Sequence, residues 1–218
     1  MKNVEVLDLI KDGENYNCEF KRKFSTHQKI AKEMIAFANS GGGYLLFGID
    51  DDGKIIGVDS EKSEANLIKD TAINYCEPPV KFNIEFKEIK DKEIIIVEIP
   101  ISDVKPHRIQ DYKNYIDINT AVISVRVNDK SVSASKEMIK IMITENNGNS
   151  LKNYSIGEDE KMVFEYLDKN EIITVAELKK IGNISERRAS RTLIKMVRAN
   201  LLFLHKNDNS KEYFSVKL

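Results

Sequence analysis

Apolar residues recur along this chain in two different periods, and the change of period divides it. Ile30, Ala31, Met34, Ile35 and Ala38 follow one another at helical spacing, which predicts an amphipathic helix over about residues 26–39. Ser25 and Gln28 offer a capping box at its start. Ser40-Gly41-Gly42-Gly43 ends it, since glycine accepts the left-handed backbone of a C-cap. Residues 18–23 read as a short strand before the helix, and residues 44–49 as a buried strand after it. Asp51-Asp52-Gly53 then turns into a further strand over 54–58. A second helix is expected over about 60–76, stopped by Glu77-Pro78-Pro79. Residues 80–89 alternate and return through Lys90-Asp91-Lys92 to a partner strand at 93–99. Residues 115–118 and 121–127 read as strands, and 135–143 as a closing helix. Strands joined by short turns outnumber helices, so the fold class expected here is α+β with a mixed sheet.

From residue 158 the pattern is helical. Met162, Val163, Tyr166 and Leu167 mark one face of a helix over 158–169. Thr174 caps a short helix carrying Val175, Ala176 and Leu178, and Ile181-Gly182-Asn183 turns into a longer one that starts at Ser185. Its inward positions are Ala189, Leu193, Ile194, Met196 and Val197. Residues 201–205 and 213–217 then pair as a hairpin across 206–211. That order is the order of a winged helix-turn-helix, expected over 155–218. The polar stretch Glu145-Asn146-Asn147-Gly148-Asn149-Ser150 precedes it, so the chain divides into a mixed domain (1–145), a linker (146–154) and a mainly helical domain (155–218).

Composition adds limits. With 41% hydrophobic and 32% charged residues, the 218-residue chain can build two cored domains. It has no apolar run near the roughly 20 residues of a membrane span. Glu5 and Asp8 interrupt the first residues, unlike a signal peptide, and a cytoplasmic protein is expected. Cys18, Cys76, His27, His107 and His205 lack the spacing of a zinc cage. His27 or His107 could serve as a general base, but no Ser or Cys nucleophile pattern accompanies either along the sequence.

Charge changes the picture more. Ten bases and three acids from Lys179 onward give that segment a net charge of +7, and the total of −1 leaves −8 on the rest. Arg187, Arg188, Arg191 and Lys195 surround the apolar stripe of the last helix. Such a helix can enter a major groove and neutralise phosphates, with Lys206 reaching the neighbouring backbone. The bland alternative is a solvated basic face on a protein-interaction module. Arg126, on an otherwise apolar strand, needs either an acidic partner or a phosphate. The expectation is a non-enzymatic nucleic-acid-binding protein, a DNA-binding transcriptional regulator without cofactor. Its partner would be duplex DNA, with RNA as the alternative, and a homodimer would match two half-sites.

One block of sequence carries a family signal. Glu19-Phe20-Lys21 precedes the helix ending Ala36-Phe37-Ala38-Asn39, followed by Ser40-Gly41-Gly42-Gly43-Tyr44-Leu45-Leu46-Phe47-Gly48-Ile49-Asp50-Asp51-Asp52-Gly53 and Ile56-Gly57. Lys105-Pro106-His107, Val125-Arg126-Val127 and Ser133-Ala134-Ser135 follow later. Over residues 7–143 the chain resembles the Schlafen/AlbA-like domain, a family associated with nucleic-acid binding in bacterial regulators and in the Schlafen proteins. The resemblance implies an AlbA-like mixed sheet and, as a frequent companion in bacteria, a C-terminal winged helix. In Schlafen ribonucleases three carboxylates cleave transfer and ribosomal RNA; the matching positions here are Glu14, Glu19 and Asp50, with Asp51 as the alternative third acid. Such a trio would hold Mg²⁺ or Mn²⁺ and activate water, making a divalent-metal-dependent endoribonuclease the alternative function. Lys21 and Lys23 would then sit near enough to contact phosphates. Nothing resembles the Schlafen zinc element. Domains of this family are often labelled ATP-binding, yet no G-K-[ST] follows the three glycines at 41–43, and a strand comes next.

Overall fold

Strands β2 (Gly43–Phe47) and β5 (Lys92–Ile99) form the centre of a sheet that is covered on both faces. Leu45, Phe47, Ile95, Val97 and Ile99 pack to one side, and Leu46, Ile94 and Ile96 to the other. Residues buried on both faces read as an unbroken apolar run rather than an alternation. The computed structural model describes residues 3–146, 156–199, 201–207 and 211–216. It divides into two compact units, Met1–Ala134 and Ser135–Leu218.

In the first unit the sheet order is β1-β2-β5-β4, where β1 is Cys18–Lys21 and β4 is Asn83–Ile89. β1 and β2 are parallel, so the chain must cross over between them, and α2 (His27–Asn39) makes the crossing. Its Ile30, Met34, Ile35 and Phe37 cover one face together with Ile68 of α3 (Glu61–Asp70). The opposite face is covered by Val6, Leu9 and Ile10 of α1 (Asn3–Asp12), a helix the sequence pattern does not single out. Thr26, rather than Ser25, caps α2. Its side chain accepts from Lys29 N at 3.3 Å, and a lysine at that position cannot return the bond that a capping box requires.

The helix expected over 60–76 ends earlier. After Asp70 a π-helical turn, Thr71–Tyr75, leads into β3 (Cys76–Glu77). β3 pairs with β6 (Arg108–Ile109), and residues 115–118 form no strand. The strand expected at 54–58 is reduced to the single bridge Ile49–Ile55, because Ile56 N and Gly57 N both donate to Gly48 O and fold the segment back. β4 and β5 join through Lys90 and Asp91, both with positive φ (54° and 59°), as a two-residue hairpin turn demands. β7 (Ser124–Val127) pairs with β8 (Lys130–Ser133), which periodicity does not reveal. Asn39, at the end of α2, ties this region together. Its side chain accepts from His107 N at 2.8 Å and donates to His107 O at 2.9 Å and Ser124 O at 3.0 Å.

The second unit holds four helices, α4 (Lys136–Asn146), α5 (Glu158–Leu167), α6 (Val175–Gly182) and α7 (Glu186–Arg198), and one antiparallel pair, β9 (Leu202–Lys206) and β10 (Glu212–Val216), among the described residues. Thr174 and Glu177 make a reciprocal capping box on α6. Asn183 takes the left-handed cap (φ 46°), and the Ser185 hydroxyl starts α7 by accepting from Arg188 N. Val163, Leu178, Ala189, Leu193, Met196, Leu202 and Phe214 close the core. Ile173 adds a third segment beside the hairpin, exchanging two 2.8 Å backbone hydrogen bonds with Phe214. Most of the expected linker (147–154) and the hairpin tip at 208–210 lie outside the described residues. No described helix is long and apolar enough to cross a membrane.

Candidate nucleic-acid interface

Helix α7 buries Ala189, Leu193 and Met196 and turns the opposite side outward. On that side Arg187, Arg191 and Lys195 are exposed and Arg198 is half-buried. With Lys140 of α4 they line a groove of about 440 Å³ floored by Ser190 and Ile194. Five cations line it and no carboxylate does. Ser190 fixes the two helices at one edge by donating to Glu137 Oε1 at 2.8 Å. Arg198 Nε is buried without a hydrogen-bond partner among the described residues. Arg198 lies on the outward face that the sequence pattern marks, whereas Lys140 does not stand out in sequence; it sits across a stretch that separates it from α7, and only the fold joins them.

Two arginines in the first turn of α7 oppose its macrodipole, whose positive end favours acids. One of them is compensated. Arg188 makes a bidentate pair with Asp159 of α5, Nε to Oδ2 at 2.6 Å and Nη2 to Oδ1 at 2.9 Å. That pairing, with the carboxylate hydrogen bond first, raises the Arg188 pKa further. Its guanidinium is therefore engaged within the molecule, whereas no described carboxylate pairs with Arg187, Arg191 or Lys195. Lys206 lies half-buried on β9.

The acidic positions of the first unit are placed differently. Glu14 Oε1 accepts from Phe20 N at 2.8 Å, which folds the loop back so that Glu14 approaches Glu19. Burial raises the Glu14 pKa, the Phe20 N–H lowers it, and the charges of Glu19 and Asp51 raise it again. Glu19 is already neutralised, by Lys21 at 2.5 Å through one oxygen and by Arg126 at 2.9 Å through the other. Asp50 turns to Arg22 at 3.1 Å and accepts from Asp51 N. Among the described residues no three acids, histidines or cysteines are grouped to hold a metal ion. Glu14, Glu19 and Asp50 are held by Phe20 N, by Lys21 and Arg126, and by Arg22 respectively, partners that a shared Mg²⁺ or Mn²⁺ would have to replace. Lys21 is half-buried against Glu19, and Lys23 is exposed.

Arg126 finds the acidic partner its strand requires. Its side chain is 0% exposed and donates to Glu19, Glu33, Ser131 and the Asn15 carbonyl, with its guanidinium 4.6 Å over the Phe37 ring. A phosphate in solution does not reach it there, so its place as a nucleic-acid contact is replaced by a structural one. Ser131 also donates to Glu33. The glycines are structural as well. A Cβ on Gly42 (φ +74°) would lie 2.8 Å from Ile99 O, and one on Gly43 would meet the Phe37 ring at 2.5 Å.

Residues 14–135 match the family described as Schlafen, AlbA_2. An uncharacterized ATP-binding protein of Ureaplasma parvum serovar 3 is 33% identical over 91 residues, 39% of this chain and 26% of that protein. The chain thus spans about a quarter of the length of that curated relative. Among solved structures, the N-terminal domain of a protein named as ATP-dependent DNA helicase RecG-related, from Nitrosomonas europaea, superposes with a TM-score of 0.46 at 20% identity, covering 62% of this chain and 92% of that one. A Corynebacterium diphtheriae protein does so with a TM-score of 0.44 at 16% identity, covering 60% and 30%. No functional reading rests on likenesses of that size. The family match covers more than half of the sequence, and the chain belongs to the Schlafen AlbA_2 family.

Proposed function

We propose that the chain is a nucleic-acid-binding protein whose second unit, a winged helix-turn-helix, binds duplex DNA through α7 and serves as a transcriptional regulator. One observation carries this reading: the groove beside α7 gathers Lys140, Arg187, Arg191, Lys195 and Arg198 with no acid on its lining. Lys140 is paired with Glu137 at 3.6 Å, but no described carboxylate pairs with Arg187, Arg191 or Lys195. Crowding these cations is unfavourable for the folded protein alone and becomes favourable against a phosphate backbone. The terminal hairpin, widened by Ile173, has the arrangement of a wing, with Lys206 on its first strand. Membership of the AlbA_2 family supports a nucleic-acid role for the first unit. Two copies bound side by side would match paired half-sites.

Fluorescence anisotropy of a labelled duplex over a salt series tests the reading. Three or four phosphate contacts give a slope of log K against log salt of about −3. The double variant Arg187→Ala/Arg191→Ala should flatten that slope by nearly two. Unchanged affinity in the double variant removes α7 from the interface. The alternative, a divalent-metal endoribonuclease, would be favoured instead by Mn²⁺-dependent cleavage of transfer RNA that disappears in Glu19→Ala.

A further inference from the structure

His107 has no nucleophile beside it in sequence but has one in space. Its Nδ1 lies 2.7 Å from the Pro78 carbonyl oxygen and its Nε2 lies 2.7 Å from the Ser102 hydroxyl. A carbonyl oxygen only accepts, so Nδ1 carries the ring proton. Burial lowers the His107 pKa, which keeps the ring neutral and leaves a lone pair on Nε2. The Ser102 proton has two acceptors in reach, Nε2 at 2.7 Å and the Val104 carbonyl at 3.3 Å. The shorter contact takes it. An orienting acceptor, a base and a hydroxyl therefore stand in series, the order that activates serine nucleophiles.

This series opens into a pocket of about 230 Å³ walled by Pro78, Pro79, Pro100, Ile101 and Val104, with Lys81 and Asp103 as the charged residues on its lining. The volume is below the roughly 300–1,000 Å³ of sites for drug-sized ligands, so the group it admits is short. Ile101 and Val104 are 56% and 51% exposed, apolar surface that folding leaves uncovered.

We propose that Ser102 and His107 are a catalytic pair for acyl transfer, acting on carboxylic esters with a short apolar acyl group. Ser102 Oγ bonds to the ester carbonyl carbon as its proton passes to His107 Nε2, and the carbonyl electron pair moves onto oxygen. Lys81 is the cation this pocket offers to that oxygen. Collapse breaks the bond between carbon and the alcohol oxygen, which takes the proton back from Nε2 and leaves as the alcohol. Water then attacks the acylated serine by the same route, releasing the acid and restoring Ser102.

The full chain is incubated with a fluorophosphonate, which phosphonylates activated serines, and separately with p-nitrophenyl butyrate. A single adduct mapping to Ser102 is expected, with ester hydrolysis at least about 10²-fold slower in Ser102→Ala. No adduct on the wild-type chain, an adduct only on another residue, or equal hydrolysis in the two proteins overturns the proposal. The adduct mapping needs no variant, so a folding defect cannot obscure the outcome.

Discussion

A guanidinium with a fully buried side chain is tolerable only if several acceptors replace its water. Arg126 meets that condition through two carboxylates, a hydroxyl and a carbonyl, three of them from elements far away in sequence. Arg126→Met leaves Glu33 without its cation and Glu19 with Lys21 alone, and should destabilise the first unit by about 3–5 kcal/mol, read from urea midpoints. Arg126→Lys should recover only part of that loss, since one ammonium cannot reproduce the fork. Arg188 behaves oppositely. Because Asp159 already holds it, Arg188→Ala should weaken duplex binding less than Arg191→Ala does in the same anisotropy assay. His107 adds a pH signature. Its folded pKa lies below the ordinary 6.5, so its stabilising effect is complete above that value and is lost as pH falls towards the depressed one. The thermal midpoint of the wild type should drop relative to that of His107→Gln between about pH 7 and pH 5.

At the level of elements, α7 is legible from sequence because every local signal agrees: a serine cap, apolar residues at helical spacing, and a charged outer face. β2 and β5 are legible as apolar runs whose length suits a strand. The misses have separate causes. β8 carries one apolar residue in Lys130-Ser131-Val132-Ser133, and only its hydrogen bonds to β7 make it a strand. Residues 54–58 have strand composition, but Gly48 and Gly57 let the backbone fold back before a ladder can grow. The candidate acids are legible as residue types, whereas their partners, Arg126 above all, depend on the packing of β7 against α2, which brings Arg126 to Glu19 and Glu33 and which no local pattern encodes. Gly43 marks the tightest approach, against Phe37 and Asn17 O. Gly43→Ala should cost about 1–3 kcal/mol through overpacking, visible as a lower thermal midpoint.

Across the whole molecule, the asymmetry of charge read from the sequence is sharpened into one groove, while in the first unit Glu19, Glu33 and Asp50 are held in internal ion pairs. The groove depends on a helix that sequence would assign elsewhere. α4 runs into the polar stretch at 145–150, yet it belongs with Ser135–Leu218, supplies Lys140 and anchors Ser190 through Glu137. A fragment covering Ser135–Leu218 should therefore bind duplex DNA more tightly than one covering 156–218, at equal salt. Anyone grafting this half onto another protein must carry the preceding helix along: a transplant begun after the polar stretch would keep three helices and a hairpin and discard one wall of the cationic trough.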